Sequence, residues 1–338
     1  MIWFWLGFFA LVALLLFLDL GVLHRRAAEP SLRSAVGWTL GWICLGLSFS
    51  GVVYLIYEHA WLGAHMVAAP AQGHAIGLRS PGGSDAAITY VSGYLLEQAL
   101  SIDNIFVMAL IFNRDFKVPL RYQHRVLFWG ILGAIGFRLV LLGGGAYVAA
   151  RLDWIFYIFG AYLAWQGVQL VRSDDTDAED GEKSKWIVRR LRRWVRIVDG
   201  DNEGRFSVVI DGRRAFTILA VCLVVVELTD IVFAFDSIPA VLSVSQDTFI
   251  MVTSNIFAIM GLRSLYFVLA GAMAKFQYLK RALGVLLVVI GAKMLAHAYY
   301  PVSHVTSLLV IAGILTAGVV ASVIASRRGG GDRDDDAA

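Results

Sequence analysis

The sequence predicts an all-α, polytopic membrane bundle of about nine transmembrane helices containing an inverted three-helix repeat, and three observations predict it. Of 338 residues, 58% are hydrophobic and only 16% charged, whereas soluble domains carry about 25% charged residues. Apolar stretches of roughly 20 residues, enough to cross about 30 Å of hydrocarbon, recur along nearly the whole chain. Two parts of that series also match each other, feature by feature. The net charge of +3 gives no general pull on nucleic acid. No GxxxxGK[ST] run exists, which excludes a P-loop ATP engine within this chain. Cys44 and Cys222 sit in separate apolar stretches, far apart in the chain. They suggest neither a disulfide framework nor a thiolate metal site.

A transmembrane domain is expected over 1–326, with spans near 2–23, 36–57, 87–112, 126–148, 154–171, 216–244, 249–271, 282–299 and 305–324. The first is not read as a cleaved signal peptide: no basic stretch precedes it, and His24-Arg25-Arg26 follows it. Of the 29 Lys and Arg, 24 fall after spans 1, 3, 5 and 7 or in the tail, while the alternate segments hold only Arg79 and Arg151. The positive-inside rule then puts the N-terminus outside and the C-terminus in the cytoplasm.

The outer loop from Glu58 to Asp85 is rich in Gly, Pro and His and reads as an irregular cap. The cytoplasmic loop 172–215 starts acidic, then runs into KSKWIVRRLRRWVRIV. There Trp186, Ile187, Leu191, Trp194, Val195 and Val198 form an apolar stripe against five arginines. Residues 183–198 therefore read as an amphipathic helix lying on the anionic cytoplasmic leaflet. Asp211-Gly212 between two β-prone runs signals a hairpin. The tail 327–338 reads as a charged, solvated end.

Six acids lie within spans: Asp19, Glu97, Asp103, Glu227, Asp230 and Asp236. Each costs at least about 2.5–3.5 kcal/mol if ionised at the bilayer centre, so they must face one another, bases, water or a cation. Span 3 carries E-QALSI-DN and span 6 carries D-IVFAF-DS. Gly136-Phe137-Arg138 in span 4 matches Gly261-Leu262-Arg263 in span 7, and Gly160-Ala161 in span 5 matches Gly291-Ala292 in span 8. Spans 3–5 and 6–8 thus read as two copies of one unit. An odd number of helices per copy inserts the copies in opposite directions, an architecture of secondary transporters.

At 100° per residue Glu97, Ser101 and Asn104 share one helix face, and Asp230 and Ser237 repeat that relation with Glu227 one turn earlier. Asp103 and Asp236 point away from these stripes if the helices are continuous. Pro239 predicts a broken helix around Asp236-Ser237-Ile238-Pro239, freeing carbonyls beside a carboxylate. Carboxylate, amide and hydroxyl oxygens are hard donors suited to Mg2+, Ca2+ or Mn2+, and the seven histidines lie in loops or at span ends. Six acids face three intramembrane bases, Arg138, Arg263 and Lys293. The arginines are expected to neutralise and orient some carboxylates. For Asp19 a helix-end contact weighs evenly with a ligand role, and no role is assigned to Lys293.

The runs EQALSIDNIFV, VELTDIVFAFDSIPAV and TSNIFAIMGLRSLYFVLAG, with LDLGVLHRR in span 1, resemble the TerC family of integral membrane proteins, most closely its Alx-type bacterial members. The resemblance covers the chain to about Ser326. It implies a multi-pass bacterial inner-membrane protein that exports manganese, and for some members a role in tellurium resistance. Carried over by motif, Glu97, Asp103, Asp230 and Asp236 with Asn104 and Asn255 are the implied metal site, and Glu227 lies in the same matched run. Phe216-Thr217-Ile218-Leu219 departs from the expected Thr-Pro-Leu entry and leaves the start of span 6 open.

The expectation is therefore a non-enzymatic, proton-coupled exporter of Mn2+, with Ca2+ as the other hard cation, since carboxylates must shed protons to bind metal. No prosthetic group is expected, and Asp19, Ser101 and Ser237 are secondary candidates. Two alternatives stand beside it. One is a non-transporting scaffold or component of metal-stress resistance. The other is an intramembrane aspartyl hydrolase, although no GxGD-type motif surrounds Asp103 or Asp236.

Overall fold

A computed structural model describes residues 2–21, 32–61, 82–149, 151–152, 154–172, 197–198, 204–210, 212–270, 277–296 and 303–331. The expected amphipathic helix lies outside these, except Ile197-Val198, which form a strand and not its last turn. That end of the expected helix is therefore corrected: the backbone there pairs with a neighbouring strand.

Ten α-helices are described: α1 (Ile2–Gly21), α2 (Leu32–Glu58), α3 (Gly83–Leu110), which runs on into a π-helical turn (Ile111–Asp115), α4 (Leu120–Ala149), α5 (Ile155–Arg172), α6 (Ile218–Val244), α7 (Thr248–Met260), α8 (Leu262–Ala270), α9 (Gln277–Ala296) and α10 (His304–Gly331). Each of the nine expected spans falls on a helix, span 7 on the α7–α8 pair. Among the described residues five helices are long and apolar enough to cross a membrane, or six if α7–α8, bent by 43°, counts as one. Nine crossings are thus not established by length and composition. The outer surface is apolar, as a bilayer solvent requires: Val140 on α4 is 73% exposed and Val232 on α6 is 63% exposed.

The core follows the repeat. α3 packs on α7 as α6 packs on α4, α3 meets α6, and α5 meets α9. That pattern is what a two-fold axis relating α3–α5 to α6–α9 produces. At the α5–α9 contact the backbones touch: a Cβ on Gly160 would lie 3.0 Å from the Gly291 carbonyl oxygen, and one on Gly284 2.8 Å from the Gly167 oxygen. Gly160 and Gly291, matched in the sequence repeat, therefore meet each other across the axis. Small residues permit such close approach between membrane helices.

The helix expected to break at Pro239 does not. α6 runs continuously from Ile218 to Val244 with Pro239 inside it. The missing N–H frees one carbonyl without ending the helix, a loss that membrane helices tolerate when neighbours pack around it. The break lies instead at Gly261, between α7 and α8, inside a span expected to be continuous.

One end of the bundle carries a small sheet. β1 (Ile197–Val198), β2 (Ser207–Ile210) and β3 (Arg213–Thr217) are ordered β1-β3-β2, with β1 parallel to β3 and β2 antiparallel to it. The hairpin expected at Asp211-Gly212 forms, with Ile210 opposite Arg213 and Gly212 at φ +72°. Thr217 settles the start of α6. It ends β3, its hydroxyl accepts from the Ala220 amide at 3.4 Å, and it donates to the Arg205 carbonyl at 2.6 Å. The sheet is tied to α4 where Arg125 Nη1 donates to the Gly204 carbonyl at 2.7 Å. Gly204 has φ +70°, and a Cβ there would lie 2.6 Å from the Tyr122 ring. Only glycine meets both constraints.

Candidate ion site

The site is built where α3, α4 and α6 meet. Arg138 projects from α4 between Glu97 of α3 and Asp230 of α6. The three are 2%, 0% and 3% exposed. Its Nη1 donates to Glu97 Oε1, its Nη2 to Asp230 Oδ1 at 3.2 Å and its Nε to Asp230 Oδ2 at 3.5 Å. In the amide orientation that satisfies both of its atoms, with O and N exchanged, the Asn104 oxygen accepts from Nη2 at 3.3 Å and its nitrogen donates to the Leu100 carbonyl at 3.2 Å. Ser101 Oγ donates to Glu97 Oε1 at 3.5 Å. The helical stripe Glu97–Ser101–Asn104 thus converges on one cation. A guanidinium suits this task, since its planar fork can serve several acceptors at once.

The carboxylates are not fully satisfied. Glu97 Oε2 is buried and has no hydrogen-bond partner among the described residues. Glu227 Oε2, one helical turn before Asp230, is in the same condition. Glu227 lies flat against the α4 backbone at Gly133, where any Cβ would overlap its carboxylate. Asn255 on α7 is 1% exposed, and neither amide atom has a partner among the described residues. An unpaired buried polar atom costs about 1–3 kcal/mol. Four such atoms lie on the candidates Glu97, Glu227 and Asn255.

A small cavity lined by Met108, Leu127, Ile131, Ala134, Leu262 and Asp230, all of them buried, adjoins the site, with space for about one water. At the end opposite the sheet the helix termini are tied together. Tyr57 donates to Asp247 Oδ2 at 2.6 Å, the Gly83 amide donates to Glu58 Oε2 at 3.0 Å, and Lys293 Nζ donates to the Ser243 carbonyl at 3.1 Å. Asp247 also caps α7, its Oδ1 accepting from the Phe249 and Ile250 amides. Burial pushes the Asp247 carboxyl above its ordinary value, and the hydrogen bonds from Tyr57, Ile250 and Phe249 oppose that rise.

Residues 82–330 match the profile of the family described as "Integral membrane protein TerC family". The chain belongs to the TerC family. Over 92% of its length it is 38% identical to the Escherichia coli K12 protein named "Putative membrane-bound redox modulator Alx", covering 91% of that protein. A Myxococcus xanthus protein named "Uncharacterized membrane protein STKORF319" is 40% identical over 96% of this chain and 92% of its own length. A Rickettsia felis membrane protein is 35% identical over 95% and 97%. No solved structure matches this TerC chain.

Of the residues singled out in the TerC motifs, the structure brings Glu97, Ser101, Asn104, Asp230 and Arg138 into one cluster. Glu227 stands beside it. Ser237 instead turns back on its own helix, donating to the Ala234 carbonyl at 3.4 Å. Asp103 and Asp236 lie within α3 and α6, and their side chains are outside the described ones. Asp19 is held apart from the cluster: Arg263 Nη2 donates to its Oδ1 at 2.7 Å. Among the described residues no three His, Cys, Asp or Glu side chains gather as a ready metal cage. Sequence reasoning missed Gly133 and the Tyr57–Asp247 contact. The spacing Gly130-x-x-Gly133 in α4 was a signal for the first, and nothing in the sequence links Tyr57 to Asp247, 190 residues apart.

Proposed function

We propose that this TerC protein is a secondary transporter of the bacterial inner membrane that exports hard divalent cations, Mn2+ foremost, in exchange for protons. The observation that carries this reading is the buried Glu97 carboxylate. One of its oxygens is held by Arg138, and the other lacks a hydrogen-bond partner among the described residues. A visiting cation satisfies that oxygen, and Glu227 Oε2 and the Asn255 amide oxygen are further buried oxygen donors without a hydrogen-bond partner among the described residues. Oxygen donors of this kind match the preference of Mn2+ and Ca2+.

Arg138 has a definite part in such a cycle. It compensates Glu97 and Asp230 while the site is empty, and a divalent ion competes with it for the same carboxylates. Asp103 and Asp236, placed by their motifs in the two matched helices, complete the ligand set. Protons return on the carboxylates that the metal vacates. The N-terminus lies outside, the sheet end and C-terminus lie in the cytoplasm, and residues 183–198 rest on the anionic leaflet. The E. coli relative's name speaks of redox modulation; export of a redox-active metal ion alters redox balance indirectly, and Cys44 and Cys222 here are both free, one exposed and one buried.

The test is metal efflux in cells and in reconstituted vesicles with an imposed pH gradient. Asp236→Asn should abolish Mn2+ efflux while membrane insertion stays normal. Unaltered efflux in that variant overturns the assignment.

A further inference from the structure

The two copies of the repeat are not in the same conformation. In the first copy α4 passes Gly136-Phe137-Arg138 as one unbroken helix, and Arg138 binds the central carboxylates. In the second copy the matching Gly261-Leu262-Arg263 coincides with the 43° break, and Arg263 binds Asp19 of α1. α1 lies outside the repeat, so the second arginine is held by a carboxylate with no counterpart in the first copy.

The break also lies beside the site: Leu262, the residue between the break and Arg263, lines the small cavity next to Asp230. Gly261 itself rests against Trp42 of α2, with its Cβ position 3.3 Å from the Trp42 Cβ, whereas Gly136 has open space around its Cβ position. Toward the other end, the Tyr57–Asp247, Glu58–Gly83 and Lys293–Ser243 contacts tie the helix termini together. One copy is thus bent and the other straight within a single bundle.

From this we infer that Arg263–Asp19 is a latch that holds the present conformation, and that a second state forms when the two copies exchange conformations. In that exchange α7–α8 straightens at Gly261, α4 bends at Gly136, and Arg263 leaves Asp19. Inverted-repeat transporters have the symmetry such an exchange needs. This rests on the transport reading for its purpose, but not for its measurement.

The test uses the full chain in vesicles, with Cys44 and Cys222 replaced by Ser and Ala134→Cys as the reporter. A membrane-impermeant methanethiosulfonate is applied to either side, and the ratio of the two labelling rates reports which end is open. Asp19→Asn should shift that ratio by about tenfold, as expected for losing one charge-assisted hydrogen bond. Gly261→Ala favours a straight helix and should shift it the same way; Gly136→Ala opposes the new bend and should shift it the other way. The charge-swapped pair Asp19→Arg with Arg263→Asp should return the ratio toward the parent value. The inference is overturned if Gly261→Ala and Gly136→Ala move the ratio equally or not at all. Absent metal flux in the parent with these shifts intact would count against the transport reading alone.

Discussion

Replacing Arg138 by Gln strips the centre of the bundle of its cation while leaving two carboxylates in place. Glu97 and Asp230 are both nearly inaccessible, so neither regains solvation. Breaking a buried ion pair by removing one partner costs about 3–5 kcal/mol. Here one arginine serves two acids and the Asn104 oxygen, which places the expected loss at the upper end of that range. Arg138→Lys keeps the charge but not the fork, and should fall between the two. The triple change Arg138→Gln, Glu97→Gln, Asp230→Asn removes every charge of the cluster, and should recover stability to within about 1–2 kcal/mol of the parent, because neutral groups of like shape need no counter-ion. The assay is reversible unfolding by steric trapping in bicelles at neutral pH. A loss below about 1 kcal/mol for Arg138→Gln, or a triple variant as unstable as the single, would refute the reasoning about charge compensation.

Three further outcomes are expected. Gly133→Ala drives a methyl into the Glu227 carboxylate and should destabilise by about 1–3 kcal/mol, while Gly136→Ala, with open space, should be neutral or slightly stabilising; equal effects in the same unfolding assay contradict the packing described. Asp247 binds its proton more tightly folded than unfolded, so the folded state loses stability as pH rises from about 4 upward through the raised value. Melting curves in detergent from about pH 4 to about pH 7 should show this trend in the parent and a flatter one in Asp247→Asn. A cytoplasmic reporter fused after Ala338 should be active, and activity of a periplasmic reporter alone would invert the orientation.

The helices were legible because a membrane chain writes them as long apolar runs, and each of the nine runs falls on a helix among the described residues, apart from Phe216-Thr217, which end β3. The repeat was legible too, since Glu97 and Asp230, Arg138 and Arg263, and Gly160 and Gly291 keep their order in both copies. What could not be read were the choices among equals. Arg138 and Arg263 look alike in sequence, yet one finds two central acids and the other finds Asp19, because α1 reaches only one of them. Pro239 is a stronger breaker than Gly261 by local chemistry. Tertiary packing decides otherwise: α6 is held straight against α3 and α4, while α7 turns into α8 where Gly261 meets Trp42. The Tyr57–Asp247 contact was invisible because it joins termini of helices remote in the chain.

The direct passage from β3 into α6 has a mechanical consequence. With Thr217 belonging to both strand and helix, there is no slack between the hairpin and the segment bearing Asp230, and Arg125 lashes the same hairpin to the segment bearing Arg138. A tug applied to this appendage is therefore delivered, undamped, to both jaws of the central grip.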